Sequence, residues 1–258
     1  MWVVSRTRAD YLDFLERRHR PAHRGRTADR WAGFLLPHLR TDMRVLDLGC
    51  GPGSITRGLA GRVIGLDLHP LPIEDLPVVR GDAMVLPFPD QVFDALYLNA
   101  VLQHVDDAGA LLREARRVAR PGAVIGVGDA DWGSRIMHPH DPLIVRGQQI
   151  QESVRGTGNV RVGRELRGLL TGAGFERIEL AVEGRVVGSE AAAGHMAAFE
   201  RGWFEAAEAV AHVTELGVSH PEEMEEVALA WTRWSADPGA CATSLWFTAV
   251  GWCPPAAT

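Results

Sequence analysis

The sequence predicts an α/β fold with a seven-stranded, mostly parallel sheet, an antiparallel last strand and a helical lid. Two observations support this prediction. From residue 44 onward, short apolar segments that read as buried strands alternate with amphipathic segments of helical spacing, as in parallel strands joined by helices. Near the end, Thr243 to Trp252 alternates between apolar and polar residues before Pro254-Pro255, which predicts a final strand at the sheet edge.

The composition indicates one large globular domain with an acidic surface. The chain has 258 residues, of which 46% are hydrophobic, so it can bury a sizeable core. Its formal net charge is −6, although the first 40 residues contain nine arginines and only four acidic residues. Such an acidic bulk argues against a nucleic-acid binder. The basic start is more typical of a solvated helix face than of an RNA or membrane patch, because acidic residues interrupt it.

The distribution of apolar and reactive residues excludes several classes of protein. No segment approaches the roughly 18 apolar residues of a membrane-spanning helix, and the start does not resemble a signal peptide, so we expect a cytoplasmic protein. Cys50, Cys241 and Cys253 are scattered without metal-ligand spacing, and we expect no metal site. All 27 basic side chains are arginines, which excludes Schiff-base chemistry at a lysine.

The first elements precede the sheet. Residues 8–20 and 27–39 have helical spacing, and we expect N-terminal helices over residues 1–40 and the main domain over 41–258. Val45 to Gly53, with the sequence Val-Leu-Asp-Leu-Gly-Cys-Gly-Pro-Gly, reads as a strand that enters a tight turn. Alternate glycines let a ligand lie against bare main chain. Ser54 to Ala60 then reads as an amphipathic helix, whose first N–H groups favour negative charge.

The spacing Asp47-x-Gly49-x-Gly51-x-Gly53 resembles motif I of the class I S-adenosylmethionine (SAM) dependent methyltransferases. Ser54 replaces the third glycine of a dinucleotide fingerprint, so the turn fits a pyrophosphate poorly, whereas an acid at a strand end suits the mixed charge of SAM. A purely structural β-to-α turn is the alternative for this motif taken alone.

The next strands extend this resemblance. Asp67 ends the second strand, Val63 to Asp67, where an acid can bind both ribose hydroxyls of either SAM or NAD. Val78 to Ala83 resembles the third-strand motif of small-molecule methyltransferases, which implies that Asp82 binds the adenine amino group beside the main chain of Ala83. Asn99 ends a buried fourth strand, at the edge where open α/β sheets bind their ligands.

Three further motifs narrow the resemblance. Leu-Gln-His-Val from Leu102, Leu-Arg-Glu-Ala from Leu112 and Pro-Gly-Ala from Pro121 occur in the order found in the subgroup that includes the ubiquinone and menaquinone biosynthesis methyltransferases. The resemblance is dense over residues 42–130 and implies a Rossmann-like fold that binds SAM and releases S-adenosylhomocysteine. The residues expected at the cofactor are Asp47, Gly49, Cys50, Gly51, Gly53, Asp67, Leu68, Asp82, Ala83 and Asn99.

Beyond the fifth strand the resemblance is weaker. Residues 129–142 read as a loop, 175–182 as a sixth strand and 189–235 as two long helices. We expect lid insertions at about 131–163 and 189–238, which contain many of the aromatic residues. A roofed apolar cavity with a few polar groups is typical of a site for a small organic molecule.

Two residues are candidates for assisting the chemistry. His104, just after the fourth strand, is a candidate general base, although a structural histidine at a helix end is an equally good interpretation. Asp131 is the second candidate, and for it a capping role is the stronger alternative. His138, His140 and Asp141 lack the spacing of a metal site.

These motifs together predict a SAM-dependent methyltransferase that acts on a small organic acceptor. Two alternatives stay open: an NAD-dependent oxidoreductase, and a SAM-binding scaffold without catalytic activity. The missing third glycine argues against the oxidoreductase. The acceptor, the attacked atom and the oligomeric state do not follow from the sequence, because function depends on the variable part of such folds.

Overall fold

The computed structural model of the protein describes residues 6–155 and 158–256. The strands are β1 (Arg44–Leu48), β2 (Arg62–Asp67), β3 (Val78–Arg80), β4 (Phe93–Asn99), β5 (Ala119–His138), β6 (Glu176–Val187) and β7 (Cys241–Trp252). The α-helices are α1 (Arg6–Arg24), α2 (Ala28–Trp31), α3 (Ala108–Val118), α4 (Pro142–Ser153), α5 (Leu166–Gly172), α6 (Glu190–Phe204), α7 (Ala207–Glu215) and α8 (Pro221–Ala236).

The strands form one seven-stranded sheet in the order β3-β2-β1-β4-β5-β7-β6. The pairs β3-β2, β2-β1, β1-β4 and β4-β5 are parallel. The chain reverses its direction across the sheet between β3 and β4, so the ends of β1 and β4 lie side by side at this point. Open α/β sheets bind their ligands beside the carboxyl ends of the strands at such a switch point.

The last strand is antiparallel to both of its neighbours. A side chain at Gly251 would meet Ile125 of β5 and Ile178 of β6, each at 3.5 Å. A side chain at Gly128 would meet Thr248, and one at Gly184 would meet Thr243, so residue numbers rise along β5 and β6 as they fall along β7. The predicted seven-stranded, mostly parallel sheet with an antiparallel last strand is confirmed. The prediction that this strand lies at the sheet edge is wrong, because β6 pairs outside it.

The sheet is stabilised by apolar side chains on both faces. One face packs against α3 and α5, and its buried cluster includes Leu46, Leu96, Leu112 and Leu166. The second cluster joins residues of β1 and β4 to the segment that follows α1. The strands β1 and β4 are buried almost throughout, which explains their continuous apolar sequence. The carboxyl ends of these strands are therefore firmly positioned.

The chain divides into two compact units. The sheet unit comprises Arg20–Gly133, Thr157–Glu183 and Leu245–Thr258. The helical unit comprises Met1–His19, Ser134–Gly156 and Gly184–Ser244, and it has its own apolar core with Trp203, Trp231 and Trp234. The insertions expected at about 131–163 and 189–238 overlap two segments of the helical unit. The N-terminal helices expected over 1–40 are divided between the two units. The lid role of these insertions stays a prediction.

Three local predictions are wrong. Ser54 to Ala60 contains a short 3₁₀ helix, Thr56–Gly58, and no α-helix. The segment expected as a loop after residue 128 continues as strand β5 to His138. The two long helices expected over 189–235 are three, because Glu205 and Ala206 separate α6 from α7. Within residues 6–155 and 158–256, none of the helices combines the length and the apolar character needed to cross a membrane.

Candidate functional site

The turn after β1 depends on its three glycines. Gly49, Gly51 and Gly53 have φ angles of 74°, 52° and 73°. Residues other than glycine rarely adopt this left-handed backbone conformation, because their Cβ atom clashes with the following carbonyl. The N–H groups of Gly49 and Cys50 both donate to the carbonyl of Leu66, at 2.7 and 3.1 Å. The turn is thus tied to the carboxyl end of β2.

The three glycines face different surroundings. A Cβ atom at Gly49 would lie 2.5 Å from Val101 Cγ2, and one at Gly53 would lie 2.1 Å from Ile73 Cδ1. A Cβ atom at Gly51 would meet nothing within 4 Å. Gly51 is therefore the position at which a ligand can approach the bare main chain, whereas Gly49 and Gly53 are needed for the close packing of the turn itself.

Asp47, in β1, lies beneath this turn and is almost completely buried. The Thr56 hydroxyl donates to its Oδ2 atom at 2.6 Å. Burial raises the pKa of the Asp47 carboxyl to about 7, the hydroxyl lowers it in part, and the nearby Asp67 raises it further. A cationic ligand would stabilise the ionised form of this carboxyl, since opposite charges interact strongly away from water.

Asp67 ends β2 and faces the glycine turn. Its Oδ2 atom accepts the N–H of Gly51 at 2.9 Å, and its Oδ1 atom accepts the N–H of His69 at 2.9 Å. A carboxylate offers about four acceptor positions, so each oxygen can accept another hydrogen bond. The Leu68 side chain is 55% exposed beside it. This arrangement can bind vicinal hydroxyl groups over an apolar side chain.

The other predicted cofactor residues follow the next two strands. Asp82 is exposed, accepts the N–H of Met84 at 2.8 Å, and precedes the half-exposed Ala83. The N–H of Gly81 donates to the Asp67 carbonyl at 3.0 Å, so this segment is joined to the end of β2. Cys50 is buried, and burial raises the pKa of its thiol to about 12, which keeps it neutral. The structure thus brings the residues of β1, β2 and β3 together around the glycine turn.

Asn99 ends β4 and is 8% exposed. Neither its Oδ1 nor its Nδ2 atom has a hydrogen-bond partner among the residues that the structure describes. Buried amide groups are nearly always hydrogen-bonded, because an unsatisfied donor or acceptor loses its hydration without compensation. The side chain is therefore suited to bind a ligand.

The two catalytic candidates have different environments. His104 is exposed at the end of a 3₁₀ helix, Leu102–His104. Asp131 is buried, and its Oδ2 atom accepts the guanidinium Nε–H of Arg164. The Trp132 indole beside it donates to Gln103 Oε1 at 3.0 Å. The contacts of Asp131 favour a positioning role over proton transfer.

Sequence reasoning missed Asp129. This carboxyl on β5 is fully buried and accepts the N–H groups of Gln103, at 3.3 Å, and Ala130, at 2.9 Å. Burial raises the pKa of Asp129 to about 7, although these hydrogen bonds lower it in part. Its position just after the predicted fifth strand, at the edge where open α/β sheets bind their ligands, could have indicated it.

The sequence analysis also did not predict a group formed by Trp31, Trp246 and Arg26 in the sheet unit. The ring centroids of Trp31 and Trp246 are 5.0 Å apart in an edge-to-face arrangement, and the Arg26 guanidinium lies 4.3 Å from the Trp31 ring. The Arg26 charge also lowers the pKa of Asp129 in part. No local pattern could have predicted this group, because Trp31 and Trp246 are far apart in sequence and the basic start suggested a solvated face.

Comparison with known proteins adds independent evidence. Residues 46–127 match the family model described as "Methyltransferase domain". An uncharacterized methyltransferase of Schizosaccharomyces pombe is 32% identical over 173 residues, which cover 57% of this chain and 61% of that protein. A 2-phytyl-1,4-naphtoquinone methyltransferase of Synechococcus elongatus is 37% identical over 127 residues, which cover 42% of this chain and 52% of that protein. The chain spans about half the length of the curated relatives it matches.

Solved structures share the fold at low sequence identity. The YcgJ protein of Bacillus subtilis superimposes with a TM-score of 0.56 at 18% identity, covering 86% of this chain and 97% of that protein. The [4+2]-cyclase SpnF superimposes with a TM-score of 0.52 at 17% identity, covering 98% of this chain and 83% of that protein. A fold shared with a cyclase does not by itself identify a reaction. The match over residues 46–127 covers part of the chain, and the predicted resemblance to the small-molecule, SAM-dependent methyltransferases is confirmed.

Proposed function

We propose that this protein transfers a methyl group from SAM to a small organic acceptor and releases S-adenosylhomocysteine. The observation that carries the proposal is the position of Gly51, whose N–H binds Asp67 while its Cα faces open space. An adenosine ribose bound by Asp67 would thereby lie beside bare main chain. The methyltransferase domain match over residues 46–127 supports the same function.

Each residue around the turn has a role in this proposal. Asp67 accepts hydrogen bonds from the two ribose hydroxyls, and the exposed Leu68 packs against the adenine. Asp82, with the main chain of Ala83, binds the adenine amino group. The glycine turn and Cys50 contact the methionine part of the cofactor, whose positive groups stabilise the buried Asp47 carboxylate. The donor set therefore fits a ligand that has hydroxyls at one end and mixed charge at the other.

The protein contributes mainly through alignment. SAM supplies an activated methyl group on its sulfonium, so the residues need to hold the acceptor in line with it and exclude water. His104 is the candidate that could take a proton from the acceptor, because its side chain is exposed and near the end of β4. Asp131, paired with Arg164, holds its part of β5 in position.

Calorimetric titration with S-adenosylhomocysteine tests the proposal, with NADH as the control ligand. We expect S-adenosylhomocysteine to bind in the micromolar range and NADH not to bind. Binding of NADH alone would overturn the proposal in favour of an oxidoreductase. Once cofactor binding is established, methyl transfer from radiolabelled SAM to a panel of small acceptors tests catalysis, and a protein that binds SAM but methylates none of them would be a scaffold.

Replacement of Asp67 by alanine should weaken S-adenosylhomocysteine binding by about 1 to 3 kcal/mol, because buried polar partners lose their acceptor. The variant removes the acceptor for the N–H groups of Gly51 and His69 as well as for the ribose. Asp42→Ala is a matched control, since the Asp42 side chain is 73% exposed. Affinity that is unchanged in Asp67→Ala, relative to this control, would refute the ribose assignment.

A further inference from the structure

β6 ends the sheet on one side, and in the part of the chain that the structure describes no strand pairs with its outer edge. Residues 176–183 of β6, here called the edge segment, belong to the sheet unit. All of them are exposed except Ile178, which is half-buried. Proteins usually protect an open strand edge with proline, lysine or a covering segment, because such an edge pairs readily with another strand. The edge segment contains neither proline nor lysine.

The side chains of the edge segment differ between its two faces. Alternate residues of a strand point to the same face, so Ile178, Leu180 and Val182 form one apolar row. Leu180 is 40% exposed and Val182 is 52% exposed. The other face carries Arg177, Glu179, Ala181 and Glu183. A second strand with the same apolar row would cover the exposed apolar side chains across the edge.

The sequence of the edge segment is complementary to itself in the antiparallel direction. When two copies pair about a two-fold axis at Leu180, each Leu180 faces the other, and Ile178 of one copy faces Val182 of the other. Arg177 of each copy then faces Glu183 of the other copy. Opposite charges that face each other stabilise a pair of antiparallel strands. The two copies would therefore form two ion pairs, one at each end of the paired segment.

Other positions of the axis are less favourable. An axis at Glu179 would oppose this carboxylate to its own copy, and an axis at Ala181 would oppose Glu179 to Glu183. Like charges that face each other destabilise a strand pair. An axis at Ile178 would leave Val182 outside the paired residues, and an axis at Val182 would need residues of the helical unit. The register centred on the leucine therefore pairs opposite charges and covers the whole apolar row.

The groups that would form these contacts are accessible. Arg177 is exposed, and its guanidinium lies 4.7 Å from the ring centroid of Trp252. A guanidinium that stacks on a ring keeps the N–H groups in its plane for a carboxylate. The main chain can also be reached, since the Ile178 carbonyl accepts an N–H of Arg167 at 3.4 Å. This hydrogen bond is long, so an N–H group of a second strand could replace it.

We propose that two copies of this chain form a dimer through the edge segment, whose strands pair antiparallel about a two-fold axis at Leu180 and join the two sheets. Main-chain hydrogen bonds and the apolar row hold the strands together, while the Arg177–Glu183 pairs set the register. The partner is a second copy because the charges and the apolar row match themselves. β4, β5 and β7 lie between β6 and β1, which leads into the glycine turn, so the inference does not depend on the proposed function.

Sedimentation equilibrium of the full chain tests the dimer. At about 100 μM, where even micromolar association is nearly complete, we expect twice the 28.1 kDa of one chain. A mass of one chain overturns the inference. Arg177→Glu and Glu183→Arg should each weaken dimerisation at least about tenfold, because each opposes like charges at both ends of the paired segment. Glu74→Arg makes the same charge change at an exposed position before β3, at the other edge of the sheet, and should leave dimerisation unchanged.

Mixing the two variants separates loss of pairing from loss of folding. Arg177→Glu has acidic residues at both positions and Glu183→Arg has basic residues at both, so a mixture restores both pairs of opposite charge. The equimolar mixture should dimerise with an affinity within about tenfold of the unmodified protein. Variants that do not associate when mixed overturn the inference. Dimers that persist in both single variants also overturn it, because they would form through another surface.

Discussion

Replacement of Gly53 by alanine should destabilise the protein by about 2 to 4 kcal/mol, from a left-handed backbone and an overpacked core. Gly53 has a φ angle of 73°. Its new methyl group would lie 2.1 Å from Ile73 Cδ1 and 2.8 Å from Ile73 Cγ1. Ile73 is 6% exposed, so its side chain has no free space into which it could turn. The turn and the segment that contains Ile73 would have to separate.

Gly122→Ala is the matched control for this experiment. Gly122 has a φ angle of 77°, yet a Cβ atom there would meet nothing within 4 Å. It should therefore lose only the backbone contribution, about 1 to 2 kcal/mol. Urea denaturation measures both losses, and S-adenosylhomocysteine titration should show more than tenfold weaker binding for Gly53→Ala alone. Equal losses of stability in the two variants would contradict a role for the contact with Ile73.

The strands and the glycine spacing could be predicted because their causes are local. Buried strands such as β1 and β4 need continuous apolar residues, and a turn that passes through the left-handed region needs glycine. The predicted cofactor residues Asp47 and Asp67 could be named for the same reason. Asp47 lies in β1 and Asp67 ends β2, so local sequence places them without any knowledge of long-range packing.

The segment after the turn shows where local reasoning fails. Ser54 to Ala60 has helical spacing, but its course is set by a hydrogen bond to β1 and by a close approach to α2. The Thr56 hydroxyl binds the buried Asp47 carboxyl, and a side chain at Gly58 would lie only 2.6 Å from the Ala28 methyl group. Tertiary contacts override weak helical preference. The segment therefore forms a single 3₁₀ turn, and no α-helix N-terminus is available there for a ligand.

The polar and aromatic residues near the end of β4 could not be predicted from sequence. The direction of the Asn99 amide depends on the pairing of β4 with β5, and Trp246 reaches this region only because β7 lies between β5 and β6. Trp31 comes from a separate helix near the chain start. These residues share no sequence motif, since their proximity arises from the order of the strands. The predicted cofactor residues lie in one continuous stretch, whereas this group of residues is assembled from distant segments.

Asp47→Asn should make the stability of the cofactor-free protein less dependent on pH. Burial raises the pKa of Asp47 to about 7, above its ordinary value of 3.8. A raised carboxyl pKa means that the folded state holds the proton more tightly than the unfolded state. The resulting loss of stability is absent below pH 4, grows as the pH rises through the window between the two pKa values, and is complete above pH 7.

Other groups titrate in the same window, so the comparison must be made between variants. Burial raises the pKa of Asp129 to about 7, so this carboxyl also lowers the stability of the protein as the pH rises. Burial lowers the pKa of the His23 imidazole to about 4, so its contribution has the opposite sign and increases stability as the pH rises toward 6.5. Both contributions cancel in the difference between Asp47→Asn and the unmodified protein.

Between pH 5 and pH 8, the free energy of unfolding of Asp47→Asn should therefore rise relative to the unmodified protein by about 2 to 3 kcal/mol, from the linkage between the two pKa values. Urea denaturation at several pH values measures this difference. The amide oxygen of the variant can still accept the Thr56 hydroxyl, so the packing is kept. Asp42→Asn, at an exposed position, should follow the unmodified protein. Parallel pH profiles for all three proteins would contradict a raised pKa at Asp47.

Ionising the buried Asp47 carboxyl is costly when no cation is nearby. A positively charged cofactor would therefore stabilise its ionised form.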